Sequence, residues 1–272
     1  MAIIPAQEHG MRFSRLLAVC LMLACAFPTG SRAAESVDVA LVLVSDVSRS
    51  IDDSEYMLEK QGYAFAFADP QVIAAIRGGT TGVIAVAYVE FAGSLEVKTV
   101  LDWSVIRDAT GAKEFGDRLL ASQRSFYGRT AISAGIDHAV QMLAENEFDA
   151  GRRVIDVCGD GTNNAGREIG TARDGALHSH ITINGLAIIN DHPVSWTFAH
   201  VQPPGGLAKY YRDNVTGGPG SFVLEIHDFH TFGEAMTRKL VSEIAVLPAP
   251  GHASAMPVFF RPAPVVPPTT NH

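Results

Sequence analysis

Asp46, Ser48 and Ser50 stand at every second position directly behind the apolar run VDVALVLVS. An acid and two hydroxyls leaving a buried strand where a loop begins can turn three oxygens toward one point, as a hard divalent cation requires. Two later segments can complete such a site: Thr130 in Gly128-Arg129-Thr130, and Asp160 in VIDVCGDGTNN, again an apolar run broken by an acid and a glycine. Two carboxylates would neutralise the ion, while Ser48, Ser50 and Thr130 would add neutral oxygens, directly or through water. Oxygen-only ligation suits Mg2+ first, with Mn2+ or Ca2+ also compatible, far better than zinc or copper. Each residue also has a plainer use. Asp46, Ser48 and Ser50 can form an N-cap and turn cluster opening a helix, and Thr130 can cap a helix that starts at Ala131. Asp160 between two glycines can be a turn residue, although an acid ending a buried strand needs a partner. Three separated pieces in order, each in its expected context, favour the metal.

These residues need a scaffold that brings strand ends together. Val37–Ser45 is a nearly continuous apolar run, the pattern of a central parallel strand covered on both faces. Asp52 to Ala68 reads as a helix, with Tyr56, Leu58, Tyr63, Phe65 and Phe67 as its apolar surface and Asp52 and Asp53 at its positive end. After a break at Pro70, apolar spacing resumes to Ile76. Val83–Phe91 is a second strand, and Leu95–Leu101 its hairpin partner at a sheet edge. Helices follow around Lys113–Ser122 and Ala131–Glu145, then a short strand at Arg153–Val157, a helix near Arg167–Leu177 and a strand at Ile181–Ile189. Residues 191–220 are rich in Pro and Gly and show no readable pattern. Ser221–Ile226 and Phe229–Val246 supply the last strand and helix. This order predicts an α/β fold: a doubly wound, Rossmann-like, mainly parallel sheet with one antiparallel edge strand and helices on both faces. Ligands of such sheets bind at the carboxyl ends of strands, where the strand order reverses.

Composition excludes several classes. A formal net charge of −8 argues against nucleic acid, which demands a basic stripe. Hydrophobic content of 47% with 18% charged residues is ordinary for a globular domain. Arg12 and Arg15 precede LLAVCLMLACAF, which is short for a membrane span, and small residues follow at 31–34. Residues 1–34 therefore read as a signal peptide cleaved after Ala33 or Ala34, which predicts a secreted or periplasmic bacterial protein with no stable membrane span after cleavage. An uncleaved anchor, or lipoprotein processing at Cys25, are the rival readings. The folded domain is expected over 35–247, with a Pro/Ala-rich flexible tail over 248–272. Cleavage removes Cys20 and Cys25 and leaves Cys158, a small core residue near a strand end, without an intramolecular disulfide partner. His178, His180, His192, His200, His227 and His230 offer no third ligand at helical or strand spacing. Gly159-Asp160-Gly161 lacks the third glycine of a dinucleotide fingerprint, because Asn164 occupies it. No GxSxG elbow is present, and Asn214-Val-Thr216 is a sequon by pattern only.

The set Asp46-x-Ser48-x-Ser50, Thr130 and Asp160 resembles the metal-ion-dependent adhesion site of von Willebrand factor type A domains, written DxSxS…T…D. The resemblance covers roughly Val37 to Val246, and YVEFAG, CGDGTNN and YYRDNVTGGPGSFV look like a secreted bacterial branch of these domains, a domain of unknown function. It implies that Asp46 and Asp160 are neighbours at the switch point, and that an acidic residue of a protein partner completes the shell of Mg2+ or Mn2+. One departure is Cys158-Gly159, where many relatives carry threonine or serine before the acid. The reading is a binding module with no catalytic residues. Its alternatives are a metal-dependent hydrolase, for which no general base beside Asp46 is evident, and a scaffold or ATPase-partner subunit whose metal only stabilises the fold.

Overall fold

The structure is a computed structural model that describes residues 34–189, 203–227 and 229–245. The chain divides into Met1–Ala34 and Glu35–His272, and all the described strands and helices lie in the second unit. The expected signal peptide up to Ala33, the expected tail from Pro248, His192 and His200 lie outside the described residues.

Strand β1, Glu35–Asp46, is buried from Val37 onward. It lies between β2 (Ile84–Phe91) and β4 (Phe148–Gly159) and is parallel to both. Its side chains alternate: Val39, Leu41 and Leu43 enter one core, while Ala40, Val42 and Val44 enter the other. That two-sided burial is why its sequence is a continuous apolar run. The six strands run β3-β2-β1-β4-β5-β6, with β3 (Val97–Ile106), β5 (Thr182–Ile188) and β6 (Val223–Ile226). Only β3 is antiparallel to its neighbour, at the edge, as predicted. Helices α1 (Asp53–Ala68), α2 (Pro70–Arg77), α3 (Ala109–Ala121) and α7 (Phe232–Ile244) cover one face. The other face carries α4 (Ile132–Glu145), α5 (Ile169–His178), the short α6 (Leu207–Tyr210) and the π-helical turn Tyr211–Val215 that continues it.

Asp52 starts α1 through a capping box: its carboxylate accepts from Ser54 N and Glu55 N, and Glu55 accepts from Asp52 N at 2.8 Å. Several sequence-based bounds need correction. Strand β3 runs to Ile106, past Leu101, and β4 starts at Phe148, because the ladder with β1 begins at Glu35↔Phe148 and tolerates the polar residues there. Phe65 points away from the core of α1 and is 55% exposed. The last helix begins at Phe232 after a 3-10 turn, Phe229–Thr231.

One ionic cluster is buried between α7 and the sheet. Lys239 lies 2.6 Å from Asp156 of β4 and also pairs with Glu243, all three at 2% exposure or less. Asn184 Nδ2 donates to Glu243 at 2.9 Å. Burial alone would lower the Lys239 pKa, but the charges of Asp156 and Glu243 outweigh it and raise it. Burial and the charge of Asp156 push Glu243 up to about 7, against the pull of Lys239. Removing the only cation of this cluster leaves two acids facing each other without water. Lys239→Ala should therefore cost about 3–5 kcal/mol of unfolding free energy, read by urea denaturation. A variant as stable as the parent would mean that α7 is held by its apolar face alone.

Candidate metal centre

The register of the sheet sets Asp46 beside Phe91 on one side and, one residue past the Ser45↔Cys158 pair, beside the end of β4 on the other. β1 and β4 are adjacent and their outward connections diverge, so the ends of these two strands form the switch point. Here the five predicted residues come together. Asp46 Oδ1 accepts from Ser48 N at 2.8 Å, a turn that brings the next hydroxyl back over the acid. Thr130 Oγ1 donates to Ser48 Oγ at 3.1 Å, Ser48 Oγ and Ser50 Oγ are 3.2 Å apart, and Ser50 Oγ donates to Asp160 Oδ1 at 2.8 Å. Asp46, Ser48 and Thr130 are 1% exposed and Asp160 6%, while Ser50 is half-buried. None of these side chains is spent on a helix cap, since Asp52 caps α1 and Ala131 occupies the N-cap position of α4 without a side-chain bond.

The surrounding loops are tied to one another by their backbones. Val47 N donates to Phe91 O, Arg49 N to Gly128 O, and Ala131 N to Ala92 O. The two asparagines of CGDGTNN make a further connection. Asn164 Oδ1 accepts from Thr130 N at 3.0 Å, Asn163 Oδ1 accepts from Ser133 N at 2.9 Å, and Thr130 O accepts from Asn164 N at 2.8 Å. In YVEFAG, Glu90 accepts from Tyr56 Oη and from Ser125 N, both at 2.8 Å, and so anchors the strap that leads to Gly128.

Sequence reasoning missed Arg124. Its Nη2 donates to three carbonyls of the DxSxS loop, Val47 at 2.9 Å, Ser48 at 2.8 Å and Ile51 at 2.8 Å. Its Nε donates to Phe126 O, and the guanidinium stacks 4.2 Å from the centre of the Tyr127 ring. The side chain is 4% exposed. No local pattern marks a lone arginine in a coil segment, because its partners lie more than seventy residues away.

The site is electronegative. Burial, then the charges of Asp46 and Glu90, push Glu59 up to about 8 despite a bond from Ser45. Burial also raises Glu55, to which the charges of Asp52 and Asp160 add. Two acids and three hydroxyls, with no sulfur or imidazole among them, match the oxygen shell of a hard divalent ion. Among the described residues no group of three or more His, Cys, Asp and Glu is placed to hold a metal. His178 instead bonds the backbone of Asp174, and His227 pairs with Glu225. Cys158 is a buried core residue, as predicted.

Comparison with solved structures places this architecture. Proximal thread matrix protein 1 of the mussel byssus is 16% identical, with a TM-score of 0.56 over 78% of this chain and 48% of that one. The pilus adhesin SpaC of Lactobacillus rhamnosus GG is 14% identical, with a TM-score of 0.52 over 76% of this chain and 30% of that one. A von Willebrand factor type A protein from Catenulispora acidiphila also matches, at 18% identity and a TM-score of 0.47, over 77% of this chain and 43% of that one. The chain spans about half the length of these proteins or less, and the likeness to the first two is one of fold alone, the mainly parallel α/β sheet of the von Willebrand factor type A kind. The chain belongs to the family described as a protein of unknown function (DUF1194), whose model matches residues 36–248. No curated protein matches it.

Arg124 gives a test of the site's construction. Arg124→Ala removes the shared donor of three carbonyls and should destabilise the domain by about 3 kcal/mol, since bonds to a charged group contribute about 1.5–3 kcal/mol each and water recovers part of the loss. Arg124→Lys should recover little, because an ammonium cannot present a planar fork to carbonyls and ring together. Equal urea midpoints for the parent and both variants would show that the loop holds itself.

Proposed function

We propose that this domain binds a divalent cation through Asp46, Ser48, Ser50, Thr130 and Asp160, and through that ion engages an acidic side chain of a protein partner. The observation that carries the reading is the continuous chain of oxygens from Thr130 through Ser48 and Ser50 to Asp160, with Asp46 turned onto the same loop. Mg2+ is the foremost ion, and Mn2+ or Ca2+ would be held by the same donors. The ion supplies a positive centre that these residues orient. Two carboxylates balance its charge, and three neutral oxygens leave its shell short of the six or more donors such ions take, so a partner carboxylate has a place. The likeness to known proteins supports the reading by analogy of fold. The mussel protein has also been solved with a zinc-occupied metal-ion-dependent adhesion site (16% identity, TM-score 0.52, 78% of this chain and 46% of that one), and SpaC is a pilus adhesin. Residues 1–34 would act as a signal peptide, delivering domain 35–247 and tail 248–272 to the periplasm or the exterior. Among the described residues no helix is long and apolar enough to cross a membrane.

Metal binding should stabilise the fold by mass action. Asp46→Ala or Asp160→Ala should abolish the rise in melting temperature produced by Mg2+ or Mn2+, because one carboxylate then faces a doubly charged ion. Ser48→Ala or Thr130→Ala should only reduce it, since water can replace a neutral oxygen. A double aspartate variant that keeps the full shift would place the ion elsewhere.

For adhesion, chelator and conversion of the partner's acid to its amide should each abolish association. The two changes together should cost little more than either alone, because they break one shared contact. A metal that serves only the fold predicts instead that the amide partner binds normally, which calorimetry with the purified pair would show.

A further inference from the structure

The segment YYRDNVTGGPGSFV is a signature in the sequence, yet the five-residue site makes no use of it. Its first tyrosine, Tyr210, accepts from Asn163 N at 3.1 Å and so braces the loop after Asp160. The second, Tyr211, opens the π-helical turn Tyr211–Val215, a backbone form that is rare and concentrated at functional sites. Tyr211 is 0% exposed, and among the described residues its hydroxyl has no hydrogen-bond partner.

Two glycines on neighbouring strands make room for this ring. A Cβ at Gly185 of β5 would lie 2.8 Å from Tyr211 Cδ1. A Cβ at Gly159 of β4 would lie 2.9 Å from Tyr211 Oη, 2.9 Å from Asp46 Cβ and 3.2 Å from Asp46 Oδ2. The bare Gly159 Cα therefore faces both the phenol oxygen and the Asp46 carboxylate, and any side chain at 159 would be driven against both. Glycine weakens a strand interior, so two of them on one face mark a close approach that the fold requires. A ring that merely fills the core needs no hydroxyl. Phenylalanine would serve and would avoid burying an unpaired polar group.

Tyr63 and Tyr88 provide the contrast. Their hydroxyls are also buried with no hydrogen-bond partner among the described residues, but they lie in the core on the opposite face of the sheet. Tyr211 alone of the three lies across a glycine from a candidate ligand.

We propose that Tyr211 is a positioning residue of the metal centre: its hydroxyl donates to the Asp46 carboxylate through one bridging water and holds it in the orientation a divalent cation needs. Ser48 N already fixes Oδ1 of that carboxylate, so a second donor on the other oxygen would lock its plane. The same bond favours the ionised form of the acid, the form that binds metal.

This inference rests on the metal reading above, and the test separates the two. Mn2+ alone is titrated into the parent, Tyr211→Phe and Tyr63→Phe, with apo melting temperatures recorded. Tyr211→Phe should bind Mn2+ about tenfold more weakly, the usual loss when the group supporting a ligand is removed, with an apo melting temperature equal to the parent's or higher. Tyr63→Phe should bind as the parent does. In protein labelled at tyrosine Cζ, the resonance absent from Tyr211→Phe should shift on addition of Mg2+. A parent that binds no Mn2+ overturns both readings. A parent that binds Mn2+ beside a Tyr211→Phe variant of equal affinity overturns this one alone. So does an equal weakening in Tyr63→Phe, which would make the effect one of core packing.

Discussion

Two carboxylates at the ends of adjacent parallel strands repel each other in a place where water is largely excluded. Much of the architecture around Asp46 and Asp160 answers that constraint. A hydroxyl chain through Ser50, Ser48 and Thr130 bonds Asp160 and spans to the loop before α4. The Asp46 carboxylate is turned onto its own loop by Ser48 N. Asparagines join the loop after Asp160 to the start of α4, and the positive charge of Arg124 is turned toward backbone carbonyls and Asp53. On the proposed reading, a folded chain that concentrates negative charge and neutral oxygens in this way is preorganised for a cation, because the electrostatic cost is met in folding and recovered on binding.

The parts legible in the sequence were those written in local pattern. The apolar run of β1 ends in alternating acid and hydroxyls, and Asp52 and Asp53 announce the start of α1. The order of elements follows from their periodicity, while the switch point between β1 and β4 was implied by the family resemblance. What could not be read depends on partners far apart in the chain. Arg124 looks like any surface arginine until three carbonyls of residues 47–51 surround it. Lys239 and Glu243 are an ordinary exposed i,i+4 pair by sequence, and only Asp156 beneath them shows that they are buried. Phe65 misleads in the other direction, an aromatic residue at helical spacing that faces outward. Tyr211 lies in a stretch whose Pro and Gly content hides a short helix and a π turn.

The strand β4 shows how these polar elements depend on one another. Asp156 and Cys158 face α1 and α7, while Val157 and Gly159 face the side where Tyr211 lies. The α7 layer grips β4 through Asp156 and, further back, through Arg152, whose guanidinium donates to Ile244 O at 2.8 Å. A slip of one residue would send every side chain of the strand to the opposite face. Asp156 would then meet an apolar core without Lys239, and Cys158 would press on the slot that Gly159 leaves open for the phenol. In an apolar strand most registers bury similar area, so hydrophobic burial alone discriminates weakly among them. A buried ion cluster on one face and a required glycine on the other discriminate strongly, because each is satisfied in a single register. The same register delivers Asp160 to the side of Asp46. The charged cluster far from the site and the missing side chain within it therefore act toward one end, which is to hold two carboxylates at a single point.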